Sequence, residues 1–245
     1  MRKIYLVPAL VGLLTSVAVG PVAAQGAVPK QKAAPAPKAA PAGTPVAAGA
    51  TSAAATENPA AEDKIKAIDG FRSAKFGMNE ADVRAAMAKD FNPKPDAIKI
   101  QDNASELTRS LLLSAPELLP NGGTAELSYV FGYKSKSLIQ VGAVWSKGAD
   151  TAMTPEKLFS NANILRAHFM GEGFKPDSIA VNMPVAGGIV MFRGSDAKDR
   201  SVILLLQGTF ETKENNRVLT PTSLLLFYVA DAKSPDIFKL PPGQF

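Results

Sequence analysis

Apolar residues recur every three to four positions in two stretches of the chain and every second position in several others. This split predicts two amphipathic helices set among antiparallel strands. In the first helical stretch Val83, Met87 and Phe91 share a stripe, with Ala86 and Asp90 beside it and Glu80, Arg84 and Lys89 turned away. Asn79 is placed to cap this helix, because its side-chain oxygen can accept from the free N–H groups of the first turn. Asp82, three residues on, can reach back to the cap and meets the positive end of the helix dipole. Met78 and Val83 have the spacing of a hydrophobic staple. Asn92-Pro93 closes the stretch, since a residue before proline avoids the helical region. The predicted helix covers 79–90, and Gly77 allows a tight approach to it from a short strand around Arg72–Phe76.

A second helix start follows at Met153-Thr154-Pro155-Glu156-Lys157-Leu158. Thr154 is the cap, and Pro155 takes the first helical position, where a missing N–H costs nothing. Met153 and Leu158 repeat the staple spacing of Met78 and Val83. Leu158, Ala162, Leu165 and Phe169 form the stripe, and Gly171-Glu172-Gly173 ends it.

The strand signals lie after each helix. A short strand is expected at Ala97–Gln101, and alternation marks another over 107–114. The clearest strand puts Ala125, Leu127, Tyr129, Phe131 and Tyr133 on one face and Glu126, Ser128, Gly132 and Lys134 on the other. Lys134–Ser137 turns the chain into Leu138–Trp145, apolar on both faces and so expected to be central. After the second helix, strands are expected at Ser178–Val185, Gly188–Arg193, Val202–Gln207 and Ser223–Ala230. A polar excursion is read over Glu211–Pro221, and a surface tail from Asp231. The expected fold class is α+β: two helix-plus-antiparallel-sheet repeats of α-β-β-β type, about 75 residues apart, over 62–148 and 149–245.

The run Lys75-Phe76-Gly77-Met78-Asn79-Glu80-Ala81-Asp82-Val83-Arg84 resembles the approach to the first helix in small outer-membrane assembly lipoproteins of the SmpA/OmlA type. It is also similar to the repeat unit of β-lactamase-inhibitory proteins. The resemblance covers about ten residues and a looser agreement of element order. It implies a non-catalytic, extracytoplasmic binding module. The chain departs from the lipoproteins in lacking an anchoring cysteine and from the inhibitors in lacking disulfides.

Composition adds a destination. Residues 1–24 read as a signal peptide: Arg2 and Lys3, an apolar run from Ile4 to Val19, then Val22-Ala23-Ala24 before Gln25. The runner-up is a retained membrane anchor, but the run is short for a span and Pro8 interrupts it. Residues 25–61 are rich in Ala, Pro, Gly and Thr and are expected to form a disordered linker. Its Lys30, Lys32 and Lys38 could tether it to a cell-wall or protein partner. With 0 cysteines the exported chain has no disulfides and depends on its core. The net charge of +5 is concentrated at the start; from residue 62 onward 22 basic face 21 acidic residues, leaving no electrostatic footprint for nucleic acid.

Chemistry is sparse. His168 is the 1 histidine, beside the stripe of the second helix, and reads as a partly buried packing residue rather than a catalytic base. No cofactor or metal is expected: the common zinc sites need cysteine or several histidines. There is no G-x-S-x-G elbow, and Gly187-Gly188 lies between strands rather than before a helix. Asp196 and Asp199 with Lys198 and Arg200 read as a solvated turn, in preference to a Ca²⁺ site. Tyr129, Phe131, Tyr133 and Trp145 are read as core, with an exposed binding stripe as the alternative. These features lead to an expectation of a periplasmic or secreted non-enzyme that binds a protein or envelope component through its sheet surface. The alternatives are an envelope hydrolase using His168 and nearby acids, and a structural spacer.

Overall fold

The computed structural model describes residues 65–94, 96–213, 216–240 and 243; the expected leader (1–24) and linker (25–61) lie outside the described residues. In chain order the elements are β1 (Gly70–Phe71), β2 (Ala74–Lys75), α1 (Glu80–Phe91), β3 (Lys99–Asn103), β4 (Thr108–Ala115), β5 (Ala125–Phe131) and β6 (Leu138–Ser146). They continue with α2 (Pro155–Met170), β7 (Ala180–Val185), β8 (Gly188–Ser195), β9 (Ser201–Lys213) and β10 (Asn216–Val229). A 3-10 turn, Pro176–Ser178, leads into β7.

Both helix starts form as their residues dictate. The Asn79 oxygen accepts from the Asp82 N–H at 3.0 Å, and the Asp82 carboxylate accepts from the Asn79 side-chain amide at 2.8 Å rather than from its backbone. Asn92 ends α1 in the left-handed region (φ 44°), a conformation asparagine tolerates, and its N–H still donates to the Ala88 carbonyl. Thr154 accepts from the Lys157 N–H at 3.2 Å and Pro155 opens α2.

The ten strands make a small β1–β2 ribbon and one antiparallel eight-stranded sheet in the order β3-β4-β5-β6-β10-β9-β8-β7. The four strands after α1 form a meander, and so do the four after α2. Each helix is thus followed by four strands, one more than an α-β-β-β unit holds. The last strands of the two meanders, β6 and β10, pair at the centre, with Gly142 opposite Phe227. Glu211–Pro221 is not a free excursion. Its two sides pair from Glu211–Val218 to Gly208–Pro221 in the long β9–β10 hairpin, with a register shift at Pro221/Ser223. Backbone pairing needs no apolar side chains, and the proline sits at the irregularity, where its missing N–H is tolerated.

The helices share one face of this sheet. Val83, Ala86 and Met87 of α1 and Leu158, Ala162, Leu165 and Phe169 of α2 join Leu111, Leu127, Phe192, Leu204, Leu224 and Leu226 in one cluster. That core crosses the 148/149 boundary without a break. On the opposite face Val190, Ile203, Leu205, Leu225, Phe227 and Val229 form a second cluster. Among the described residues no helix is long and apolar enough to cross a membrane.

Candidate functional site

The residues singled out from sequence fall into four places. Tyr129, Phe131 and Trp145 are buried on the helix side of the sheet. An exposed stripe of these residues is therefore excluded: α1 and α2 cover the face they alternate onto. Burial pushes the Tyr129 phenol up, and the nearby Asp90 carboxylate adds to the shift. The Tyr129 hydroxyl and Trp145 Nε1 have no hydrogen-bond partner among the described residues. Tyr133 alone is partly open. Its ring meets Phe238 edge-on at 5.5 Å, and Lys136 Nζ lies 5.3 Å from its centre.

His168 is exposed, with 57% of its side chain accessible, which corrects the expectation of a partly buried residue. It sits on the rim of α2, one position off the buried stripe. Its ring lies 5.1 Å from that of Phe169, and Nε2 is 3.7 Å from Glu172. No serine or second acid stands with it in these contacts. Glu172 also pairs with Lys66, whose N–H donates to the Gly173 carbonyl, which holds Lys66 at the C-terminal end of α2.

The turn at Asp196–Arg200 is solvated at Ala197 and Lys198, but its first carboxylate is not. Asp196 is 1% exposed. Its Oδ2 accepts from the Ile68 N–H (2.9 Å) and Arg200 Nε (2.7 Å), and its Oδ1 from the Lys198 and Arg200 N–H groups. Burial pushes this carboxyl up, but the hydrogen bonds from Ile68 and Arg200 outweigh it and hold the group below the ordinary aspartate value. Arg200 also reaches Asp69 at 2.6 Å. Asp199 receives Lys233 (2.7 Å) and Lys175 (3.0 Å), which hold its pKa at about 2. These carboxylates are already paired with cations, so the cluster is a clamp tying Ile68 and Asp69 to the β8–β9 turn. No group of acids, histidines or cysteines suited to a metal occurs among the described residues.

At the same end of the sheet a cleft of about 560 Å³ opens between α1, the β3–β4 turn and the β5–β6 turn, lined by Glu80, Asp102, Leu107, Arg109, Phe131 and Lys136. Its size falls in the range of small-molecule sites. Arg109 donates from Nε to Asp102 at 2.8 Å and stands 4.0 Å from Glu80. That hydrogen bond holds the Asp102 carboxyl below its usual value and raises Arg109. The cleft therefore carries a matched ion pair, with neither a free cation at Arg109 for an anionic ligand nor an acid poised to give up a proton.

The helix-free face offers a different surface. Leu225 and Phe227 of β10 pair with Leu205 and Ile203 of β9, Val190 of β8 pairs with Leu205, and Val144 of β6 pairs with Leu225. Toward β4 the same face becomes mixed, with Ser110, Ser114, Glu126 and Ser128 beside Leu112 and Val130 at the corresponding register positions. The six clustered side chains are 2–6% exposed. Among the described residues, those packed around them are Val144 and Val185 of the sheet and Ala232 just beyond β10. Sequence reading missed this face. The signal was present in Val202–Gln207 and Ser223–Ala230, which are apolar at both odd and even positions and so demand cover on two sides. No family model, curated protein or solved structure matches the chain.

Proposed function

We propose that this is an exported, non-catalytic protein of the cell envelope, periplasmic or secreted, that binds a protein or envelope component through the helix-free face of its sheet. The observation that carries the reading is the apolar cluster Val190, Ile203, Leu205, Leu225, Phe227 and Val229 on the face that neither helix covers. A sheet face exposed to water alternates polar residues onto its open side; the middle of this one instead carries Val190, Ile203, Leu205, Leu225 and Phe227, with Gln140, Arg193, Ser201 and Gln207 at the register positions around them. Ser110, Ser114, Glu126 and Ser128 give the apolar part a partly polar border at β4 and β5. Such an apolar centre with a polar rim suits a protein interface. We further read the two helix-plus-meander halves as structural repeats. They share the capped and stapled helix start and the four-strand order, and they meet as equals in the β6–β10 pair.

Two measurements test this. Residues 1–30 fused to a reporter active only outside the cytoplasm should direct its export. A photo-crosslinking amino acid at Val144 or Val185, on the rim of the cluster, should give an adduct of one defined mass in cells, and the same group at exposed Ile164 on α2 should not. Equal adducts from both faces, or none from either, would remove the binding face.

A further inference from the structure

Arginine side chains in this fold find partners within it. Arg84, Arg109 and Arg200 each hold a carboxylate, Arg166 donates to the Asn182 amide oxygen, and Arg72 lies over the rings of Phe71 and Phe91. Arg193 of β8 departs from this. Its Nε–H is buried without a hydrogen-bond partner, and no carboxylate among the described residues pairs with its guanidinium. The register places Arg193 opposite Ile203 of β9 and Ala180 of β7, and Ile203 stands opposite Phe227 of β10. Arg193 therefore belongs to the helix-free face, in one row with two members of the apolar cluster.

A buried guanidinium N–H without an acceptor is destabilising, and arginine cannot relieve the cost by giving up its proton. A cation left in this way beside an apolar surface is complementary to an anion brought from outside the fold. We propose that the partner of this face is an apolar protein helix with a carboxylate on one flank, and that Arg193 receives that carboxylate. This rests on the reading of the face as the binding face and names the chemistry of what binds there. Nε–H and one Nη–H can give two parallel bonds to one carboxylate, the fork geometry that suits arginine to this acceptor. A helix fits the surface because the same sheet already packs α1 and α2 on its other side. A flat face offers an acyl chain none of the concavity in which small ligands are held.

The position of Arg193 fixes where the acid must lie. β8 is two strands from β10, about 10 Å at a spacing of 4.8 Å. A helix about 10–12 Å across covers Ile203, Leu205, Leu225 and Phe227 with its apolar stripe and meets Arg193 with its edge. On the opposite side Glu126 of β5 faces Val144 of β6, so a second acid on that flank would be repelled. Gln140, Ser201 and Gln207 around the cluster are uncharged. The face thus selects a helix with its acid on the β8 side.

The test uses two amphipathic peptides of about 18 residues, long enough to be helical. They are identical except for one residue flanking the leucine stripe, Glu in one and Gln in the other. Binding to the purified full chain is read by fluorescence anisotropy. The Glu peptide should bind at least about tenfold more tightly than its Gln twin. That preference should vanish in Arg193→Gln, and Arg193→Glu should favour a Lys twin instead. Equal affinities for the Glu and Gln peptides, or a preference that survives Arg193→Gln, overturn the proposal. Thermal unfolding separates binding from a structural role. Arg193→Met removes the unpaired N–H at similar length and should unfold at or above the wild-type temperature; a fall of more than about 5 °C would reveal an internal partner and overturn the proposal. Binding to phosphatidylglycerol vesicles that Arg193→Gln abolishes, without any peptide preference, gives the charge to a lipid phosphate and overturns the helix. A Val144 adduct in cells that persists unchanged in Arg193→Gln sinks this inference and leaves the binding face standing. No adduct in the wild-type background removes the face and this inference with it.

Discussion

Asp196 is the residue whose loss should cost the fold most for its size. Asp196→Ala removes the acceptor for three backbone N–H groups, from Ile68, Lys198 and Arg200, and for the Arg200 guanidinium. The Lys198 and Arg200 N–H groups lie in a turn that water can reach. The Ile68 N–H does not, because Ile68 is itself buried. Arg200 keeps Asp69, but that carboxylate is exposed and a weaker partner. Removing one member of a buried pair costs about 3–5 kcal/mol, and an unsatisfied buried N–H about 1–3. With Asp69 retained, a total of about 3–4 kcal/mol is expected, a large part of a typical stability of about 5–15 kcal/mol. The assay is urea unfolding followed by Trp145 fluorescence. At a slope of about 2–3 kcal/mol/M the midpoint should fall by about 1–2 M.

The pH dependence carries a sign. The Asp196 carboxyl titrates below its ordinary value, so its contribution is full above the unfolded value near 4 and is lost as pH falls through the folded value. The difference between wild type and Asp196→Ala should therefore shrink on acidification and not on moving to alkaline pH. Arg200→Met completes a double-mutant cycle, in which the double variant should be less destabilised than the sum of the singles by at least about 1 kcal/mol. A loss below about 1 kcal/mol for Asp196→Ala, or additive singles, would show that the clamp is a surface ion pair and refute the reasoning.

The other expectations are smaller or more local. At Gly132 a Cβ would stand 2.2 Å from Asp236 Oδ2, which is held by the Lys134 and Ser135 N–H groups; Gly132→Ala should free the tail and speed trypsin cleavage at Lys233 several-fold. Asn161 is buried and donates to the Gly122 carbonyl at 2.8 Å; Asn161→Ala should cost about 1–3 kcal/mol by leaving that carbonyl unpaired, measured by thermal unfolding. Asp199, held at about 2 by Lys233 and Lys175, should keep its charge down to that pH in an NMR titration, and Lys175→Ala with Lys233→Ala should return it toward the ordinary aspartate value. His168→Ala should change stability by no more than about 0.5 kcal/mol, because its side chain is exposed and its contact with Glu172 is a long surface one.

What could be read directly from sequence is whatever is decided within a turn of chain. Asn79, Asp82, Thr154 and Pro155 start helices by bonds that close over three residues, and the stripes Val83–Met87 and Leu158–Phe169 name the side that must be buried. Alternation over 125–133 identified β5 for the same reason. Beyond that range local pattern loses its hold. The polar residues of Glu211–Pro221 lie in strands because backbone bonds to the partner strand hold them there. Asp196 is a buried clamp because Ile68, 128 residues away in the chain, meets it. Tyr129 and Trp145 are core because the helices cover their side of the sheet, a choice that alternation leaves open. The sequence by itself therefore determined the helices, their stops and most of the strands. Only the tertiary structure decided which sheet face the helices take, and so which apolar face is left without them.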